Sequence, residues 1–288
     1  MDSAEAESLH NAGLLLIGHG SRDPLGTAQF FQMAESLRQF VASRGISIPV
    51  EASLLEFQTP TIEQGWRGLV ERGVEHIFVA PLLLFSAGHA REDIPAEIKR
   101  CAAQSPGVTW SLGRPLSRHR GVVELLYERI AQAWALGSGQ LPSADRPSGL
   151  DPFRLIMVGR GSRHPCATSD MLVLSEIVRW RLGLRSVKTA FYAMAAPRLT
   201  DVLEALVTAE PASQFVVCPH LLFDGRLYQA IRAQVDELAR LAPQHCFHVT
   251  RYLGPELRIA QAICDRTFDQ PVAQQPKRSA RRPQNAGG

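Results

Sequence analysis

The amino-acid sequence repeats itself, and this duplication limits the possible fold more than any other feature. The stretch LLLIGHGSRDP, which begins at Leu14, aligns with LIMVGRGSRHP, which begins at Leu155. Farther along each half, FVAPLLLF from Phe78 aligns with VVCPHLLF from Val216. Matches of this length that keep the same loop residues are hard to obtain by chance. We therefore predict two similar domains that arose by duplication.

Local composition predicts where these domains begin and end. The stretch 137–152 is rich in Gly, Ser and Pro, which is typical of a linker. The tail 270–288 is polar and basic, which predicts a disordered end. We expect an N-terminal domain over 12–136 and a C-terminal repeat over 153–269, each long enough to bury its own core.

Short apolar runs alternate with helical patterns in both halves. The runs that predict buried strands are 14–17, 50–55, 77–80 and 108–112, and then 154–158, 186–191, 214–218 and 247–251. Apolar residues at helical spacing, such as Leu37 and Val41, lie between them. This alternation predicts an α/β fold of two tandem domains, each a parallel sheet flanked by helices.

The bulk composition argues against several classes of protein. A net charge of +3 is too small to predict nucleic-acid binding, and no run approaches the ~20 apolar residues of a membrane span. The first apolar run, 14–17, is too short for a signal peptide. The five cysteines form no CxxC pair, so we expect no iron–sulfur cluster and a reducing, cytoplasmic location.

Polar side chains follow three predicted strands of the first half. They are His19, Ser21 and Arg22 after the first strand, Glu56 after the second, and His89 and Arg91 after the third. Ligands of open parallel sheets bind beyond the carboxyl ends of the strands, so two imidazoles and a carboxylate could converge on one crevice. Each histidine could equally be a loop residue bonded to backbone, and Glu56 could cap a helix or form a salt bridge.

The loops match none of several other catalytic motifs. The loop GHGSR lacks the lysine and spacing of a nucleotide-binding P-loop, and it is not GxGxxG. The sequence contains no GxSxG, so Ser21 has no serine-hydrolase setting, and it contains no HExxH zinc motif.

Three motifs together resemble the CbiX/SirB family of sirohydrochlorin chelatases, in its long two-domain form. They are the GHGSR loop, Leu55-Glu56 before Pro60, and PLLLFSAGHAREDIP from Pro81. The resemblance covers 14–268 apart from the predicted linker. It implies ATP-independent insertion of Co²⁺ into sirohydrochlorin for cobalamin biosynthesis. It also implies that the family's metal-site residues correspond to the two histidines and the glutamate, which are His19, His89 and Glu56.

The residue types suit this chemistry. The macrocycle must lose two pyrrole N–H protons while the metal ion sheds its water, and neutral imidazole binds Co²⁺, Fe²⁺ and Ni²⁺. A carboxylate nearby can be a ligand or a proton acceptor. Sirohydrochlorin carries eight carboxylates, which gives the candidate substrate-binding residues Ser21, Arg22, Arg91, Arg160 and Arg163. Each arginine could instead form an ordinary surface salt bridge.

The second half departs from the motif at each predicted ligand. Its aligned positions hold Arg160, Ala193 and Leu227. His220, on a predicted strand end, is a weaker candidate, and a core or backbone-bonded histidine is the favoured interpretation. We therefore expect the metal site in the first half alone.

Other functions stay open at this stage. A siroheme ferrochelatase would insert Fe²⁺, and Ni²⁺ is also compatible with the ligands. A tetrapyrrole or metal carrier would bind without turnover, and a general small-molecule-binding α/β protein would bind no metal. Sirohydrochlorin is the expected partner, with no nucleic acid and no membrane, and the two fused halves could face each other within a monomer.

Overall fold

A computed structural model describes residues 9, 11–86, 88–138, 151, 153–210 and 213–268, without the side chains of 89, 137 and 138. The predicted tail and almost all of the predicted linker lie outside these residues. The strands of the first half are β1 (Ala12–Gly18), β2 (Val50–Leu54), β3 (His76–Pro81) and β4 (Thr109–Leu112). Those of the second half are β5 (Arg154–Gly159), β6 (Val187–Phe191), β7 (Gln214–Pro219) and β8 (Cys246–Val249).

The eight strands form two parallel four-stranded sheets, so the predicted α/β fold is confirmed. Their orders are β2-β1-β3-β4 and β6-β5-β7-β8, and every pair of neighbouring strands is parallel. All residues of β1 are buried, as expected for an inner strand covered on both faces. The two identical orders bear out the internal repeat.

Eight α-helices are present in the described part of the chain. They are α1 (Pro24–Ser43), α2 (Ile62–Glu71), α3 (Ile94–Gln104), α4 (Arg120–Ser138), α5 (Pro165–Arg181), α6 (Leu199–Ala209), α7 (Arg226–Leu241) and α8 (Leu257–Phe268). A short π-helical turn, His89–Asp93, precedes α3. None of these helices is both long and apolar enough to cross a bilayer.

The sheets are covered by helices on both faces. In β1, Leu15 and Ile17 belong to the hydrophobic cluster that includes Ile62 of α2 and Ile98 of α3. The alternate residues, such as Leu16, belong to a second cluster built with α1, α4 and α8. Successive side chains of a strand point to opposite faces, so a continuous apolar run serves both layers.

The last helix of each half packs on the sheet of the other half. On α4, the Trp134 ring lies 4.8 Å from the Phe153 ring at the start of the second sheet and 6.3 Å from the His248 ring of β8, between centroids. On α8, the Phe268 ring lies 5.0 Å from the Phe78 ring of β3. This exchange interlocks the two halves.

The sequence did not predict this exchange. The predicted boundaries 12–136 and 153–269 assign α4 to the first domain and α8 to the second, although each of these helices packs on the sheet of the other half. The boundaries remain a prediction about sequence repeats. In the structure, one hydrophobic cluster runs through both halves and includes residues of both terminal helices, α4 and α8.

Candidate functional site

The carboxyl ends of both sheets border one cleft with a volume of about 1330 Å³. The loops after β1, β2 and β3 line it from the first half, and those after β5, β6 and β7 line it from the second. This placement follows from the topology. In each sheet the second strand along the chain lies on one side of the first strand, and the third lies on the other side. Ligands of open parallel sheets bind beyond the carboxyl ends of the strands where the strand order reverses in this way. The cleft exceeds the ~300–1,000 Å³ of ordinary small-molecule pockets, so it suits a large ligand.

His19 lies in the cleft at the end of β1. Its half-buried ring stands 6.2 Å from the Phe57 ring, with an interplanar angle of 29°, and its Nδ1 is 3.1 Å from the Gly20 carbonyl oxygen. Gly20 has φ +92°, and a Cβ there would collide with the Glu56 carbonyl oxygen. Only glycine fits this approach, which explains the second glycine of the Gly-His-Gly pattern physically.

Glu56 lies beside His19 along the backbone. Its N–H donates to the His19 carbonyl oxygen at 3.0 Å, and the residue is half-buried. Glu56 itself is not among the described residues that line the cleft. The structure therefore brings the two chain segments together, and a role for the carboxylate at the metal remains a prediction.

His89 is the first residue of the π-helical turn that precedes α3. Its neighbours Gly88, Ala90 and Asp93 line the cleft, so this segment borders the same space as His19. The side chain of His89 lies outside the described part of the structure. Among the side chains that are described, no group of three His, Cys, Asp or Glu residues is placed to bind a metal ion.

Three of the four predicted arginines line the cleft. Arg22, Arg160 and Arg163 are exposed there, and the Arg22 guanidinium carbon lies 4.8 Å from the centre of the Phe57 ring. Arg91 is exposed but is not among the described lining residues, and its Nε donates to the Ser86 hydroxyl at 3.1 Å.

The predicted hydroxyl, Ser21, supports the loop that it belongs to. Its Oγ accepts from the Asp23 N–H at 3.0 Å, and Asp23 in turn caps α1 by accepting from the Leu25 N–H. The second half repeats this arrangement with Ser162 and His164, which caps α5. His164 therefore occupies a capping position, not that of His19.

The second half places no imidazole at the positions of the predicted ligands. Arg160, Ala193 and Leu227 stand there, and all three line the cleft. The two sides of the cleft thus share the same backbone topology but carry different side chains at these positions. The first half presents a histidine at the end of its first strand, and the second presents a cation.

His220, the weaker candidate from the sequence, is a buried residue at the edge of the cleft. It lines the cleft just after β7, is 2% exposed, and its ring lies 5.0 Å from the Phe85 ring of the first half. Burial lowers the pKa of His220 to about 3. Neither ring nitrogen has a hydrogen-bond partner among the described residues. The histidine is buried, as the core interpretation predicts, but it is not backbone-bonded through its ring.

The family follows from a comparison of sequences. The sequence model of the CbiX family matches residues 13–133 and again residues 154–270. The chain belongs to the CbiX family. The double match coincides with the two sheets, so each half of the cleft is built by one CbiX repeat.

Proteins with assigned activities resemble most of the chain. A sirohydrochlorin ferrochelatase of Bacillus subtilis (strain 168) is 31% identical over 254 residues, which are 88% of this chain and 89% of the relative. A sirohydrochlorin cobaltochelatase of Priestia megaterium is 29% identical over 245 residues, which are 84% of this chain and 74% of the relative. The solved structure of SirB from Bacillus subtilis with Fe³⁺ superposes with a TM-score of 0.74 at 29% identity, covering 88% of this chain and 93% of that one.

Proposed function

We propose that this protein is a sirohydrochlorin chelatase that inserts Co²⁺ without ATP, as a step of cobalamin biosynthesis. The observation that carries the proposal is a cleft between two CbiX repeats with His19 at the end of β1 and arginines on both sides. The relatives that resemble most of the chain are named as sirohydrochlorin chelatases.

The shape and charge of the cleft suit this substrate. Apolar side chains such as Leu83, Phe85 and Leu222 contribute to its lining, and they would contact the macrocycle. The exposed Arg22, Arg160 and Arg163 would bind peripheral carboxylates through paired N–H donors. Because these cations come from both repeats, the substrate would bridge the two halves.

The metal ion is a substrate that must be held weakly enough to leave. We propose His19, His89 and Glu56 as its ligands. Two neutral imidazoles and one carboxylate suit Co²⁺ and leave positions open for pyrrole nitrogens. A carboxylate in this place can also accept one of the two protons that the macrocycle loses.

The two repeats would divide the work. The first carries the proposed ligands, whereas the second has Arg160, Ala193 and Leu227 at the aligned positions. Arg160 and Arg163 would therefore hold substrate and take no part in metal transfer.

Insertion of Fe²⁺ for siroheme is the second candidate. The ferrochelatase of Bacillus subtilis shares 31% identity over 88% of the chain, slightly more than the cobaltochelatase of Priestia megaterium. Imidazole and carboxylate bind both ions, so the two activities need the same ligands.

An anaerobic absorbance assay tests the proposal. The protein is mixed with metal-free sirohydrochlorin and one of Co²⁺, Fe²⁺ or Ni²⁺, and the conversion is compared with that in the absence of protein. We expect acceleration with at least Co²⁺, and with Co²⁺ more than with Fe²⁺. Faster insertion of Fe²⁺ would favour the siroheme branch. Tight binding of sirohydrochlorin without acceleration by any ion would instead make the protein a carrier.

A further inference from the structure

Phe57 is held in an unusual backbone conformation beside the cleft. It has φ 71°, and the Gln58 N–H donates to the Glu56 carbonyl oxygen at 2.9 Å, so the three residues form a γ-turn with a positive central φ. This kind of γ-turn is rare and strained, and a positive φ is unfavourable for a bulky side chain.

The second half contains the same turn. Met194 has φ 57°, and the Ala195 N–H donates to the Ala193 carbonyl oxygen at 2.7 Å. In the alignment of the two repeats, Met194 corresponds to Phe57. The predicted metal ligands differ between the halves, whereas the strained turn with a large apolar residue at its centre occurs in both.

Close packing against a glycine loop imposes each turn. Gly20 leaves no room for a Cβ against the Glu56 carbonyl, and Gly161 leaves none against the Ala193 carbonyl. Each of these two carbonyls is the acceptor of its γ-turn. The glycine loops therefore fix the direction in which the residue at the centre of each turn points.

The folded protein covers only about half of each apolar side chain. Phe57 is 51% exposed and Met194 is 44% exposed, and both line the cleft. Glycine would adopt the same φ without strain. A large apolar residue at a strained position, half exposed and present in both repeats, points to a ligand that covers it.

We propose that Phe57 and Met194 form an apolar clamp that contacts the flat conjugated ring of the tetrapyrrole from the two halves of the cleft. The proposal rests on the proposed function for the identity of the ligand. Phe57 also contacts two predicted site residues, since its ring lies 6.2 Å from the His19 ring and 4.8 Å from the Arg22 guanidinium carbon. The clamp would thus position the macrocycle next to the predicted metal ligand and the predicted carboxylate-binding group.

The clamp can be tested by equilibrium binding without any metal. The variants are Phe57→Gly, Met194→Gly and the double substitution, and the probe is metal-free sirohydrochlorin, followed by its fluorescence. Covering the exposed half of each side chain corresponds to about a fivefold change in Kd, which is ~1 kcal/mol. We expect about a fivefold weaker Kd for each single variant and roughly 25-fold for the double variant.

Two sets of controls separate binding from folding. Phe57→Leu and Met194→Leu keep an apolar side chain and should retain most of the affinity. Leu172→Ala removes a side chain that is 48% exposed on α5 and is not among the lining residues, so it should leave Kd unchanged. The two glycine variants should unfold close to the temperature of the wild type, because the relief of the strained φ offsets the lost packing of a half-exposed side chain.

The outcomes distinguish the clamp from the proposed function. Unchanged Kd in both glycine variants, with tight binding by the wild type, would overturn the clamp and leave the chelatase proposal intact. Glycine variants that lose affinity only because they unfold at lower temperature would also overturn it, since the residues would then be structural. Wild-type protein that binds sirohydrochlorin but inserts no metal would refute the proposed function alone. Wild-type protein that does not bind sirohydrochlorin would refute both.

Discussion

The substitution His220→Leu tests how the buried imidazole affects the stability of the protein, and the first half provides a leucine at the aligned position for comparison. The aligned residue of the first half is Leu82, which is also 2% exposed. Its N–H donates to a carbonyl of β1 at 2.8 Å, and the His220 N–H donates to a carbonyl of β5 at the same distance. Leucine is therefore compatible with this backbone. Removing two ring nitrogens without partners should be neutral or stabilising at neutral pH.

The pH dependence of stability gives the magnitude. Burial lowers the pKa of His220 from 6.5 to about 3, so between these values the unfolded chain binds a proton that the folded protein does not. The effect of this group on the free energy of unfolding is most favourable above about pH 6.5, and the free energy of unfolding falls as the pH decreases toward 3. At pH 5 the loss from this one group amounts to ~2 kcal/mol.

Urea unfolding at pH 8 and pH 5 measures this difference. The His220→Leu variant should be at least as stable as the wild type at pH 8, and it should lose ~2 kcal/mol less between the two pH values. His248→Leu is the control, because burial also lowers the pKa of His248 but its ring is only half-buried and bonds Gln214. Parallel losses for the wild type and His220→Leu would refute the argument from burial.

Two further predictions concern the contact between the halves and the thiols. Buried Gln29 of α1 bonds the Tyr252 hydroxyl at 2.8 Å and the Asp224 N–H at 2.7 Å, so Gln29→Leu should lower the free energy of unfolding by ~2 kcal/mol in urea titrations. Gln39→Leu, at an exposed position of the same helix, should change the free energy of unfolding by less than ~0.5 kcal/mol. Equal losses in the two variants would contradict a stabilising contact of Gln29 between the halves. Cys218 is buried, which raises its pKa to about 12, whereas Cys246 is exposed. A disulfide reagent at pH 8 should therefore modify Cys246 first, and rapid modification of Cys218 in the folded protein would contradict the described burial.

Much of the fold could be predicted because β1, β3, β5 and β7 are inner strands of parallel sheets. The run that begins at Leu14 is apolar throughout since both faces of β1 are covered, and a continuous apolar run is visible without an alignment. The helix exchange was not visible in the same way. The apolar face of α4, with Trp134, shows that a sheet must cover it but does not show which sheet.

The position of a candidate site residue could be predicted where the strand topology alone determines it. His19 lies in the cleft because it follows a strand whose carboxyl end faces the ligand side. Phe57 and Met194 were missed because neither residue type favours a positive φ, and their conformation depends on contact with a glycine loop far away in sequence. The ring nitrogens of His220 have no hydrogen-bond partner among the described residues because of how the surrounding residues pack. Local sequence patterns do not predict such tertiary packing.

We expect metal transfer to occur in the first repeat, and exchanging the aligned residues His19 and Arg160 distinguishes the two halves. His19→Arg gives the first loop the side chain of the second, and Arg160→His does the reverse. In the anaerobic insertion assay with Co²⁺, we expect His19→Arg to lower the rate at least ~100-fold, because the loss of a ligand should cost no less than the loss of a residue that supports one. Arg160→His should stay within roughly fivefold of the wild type, since an exposed charge contact contributes ~1 kcal/mol. Full activity of His19→Arg together with an inactive Arg160→His would place the chemistry in the second repeat and contradict the assignment of His19 as a metal ligand.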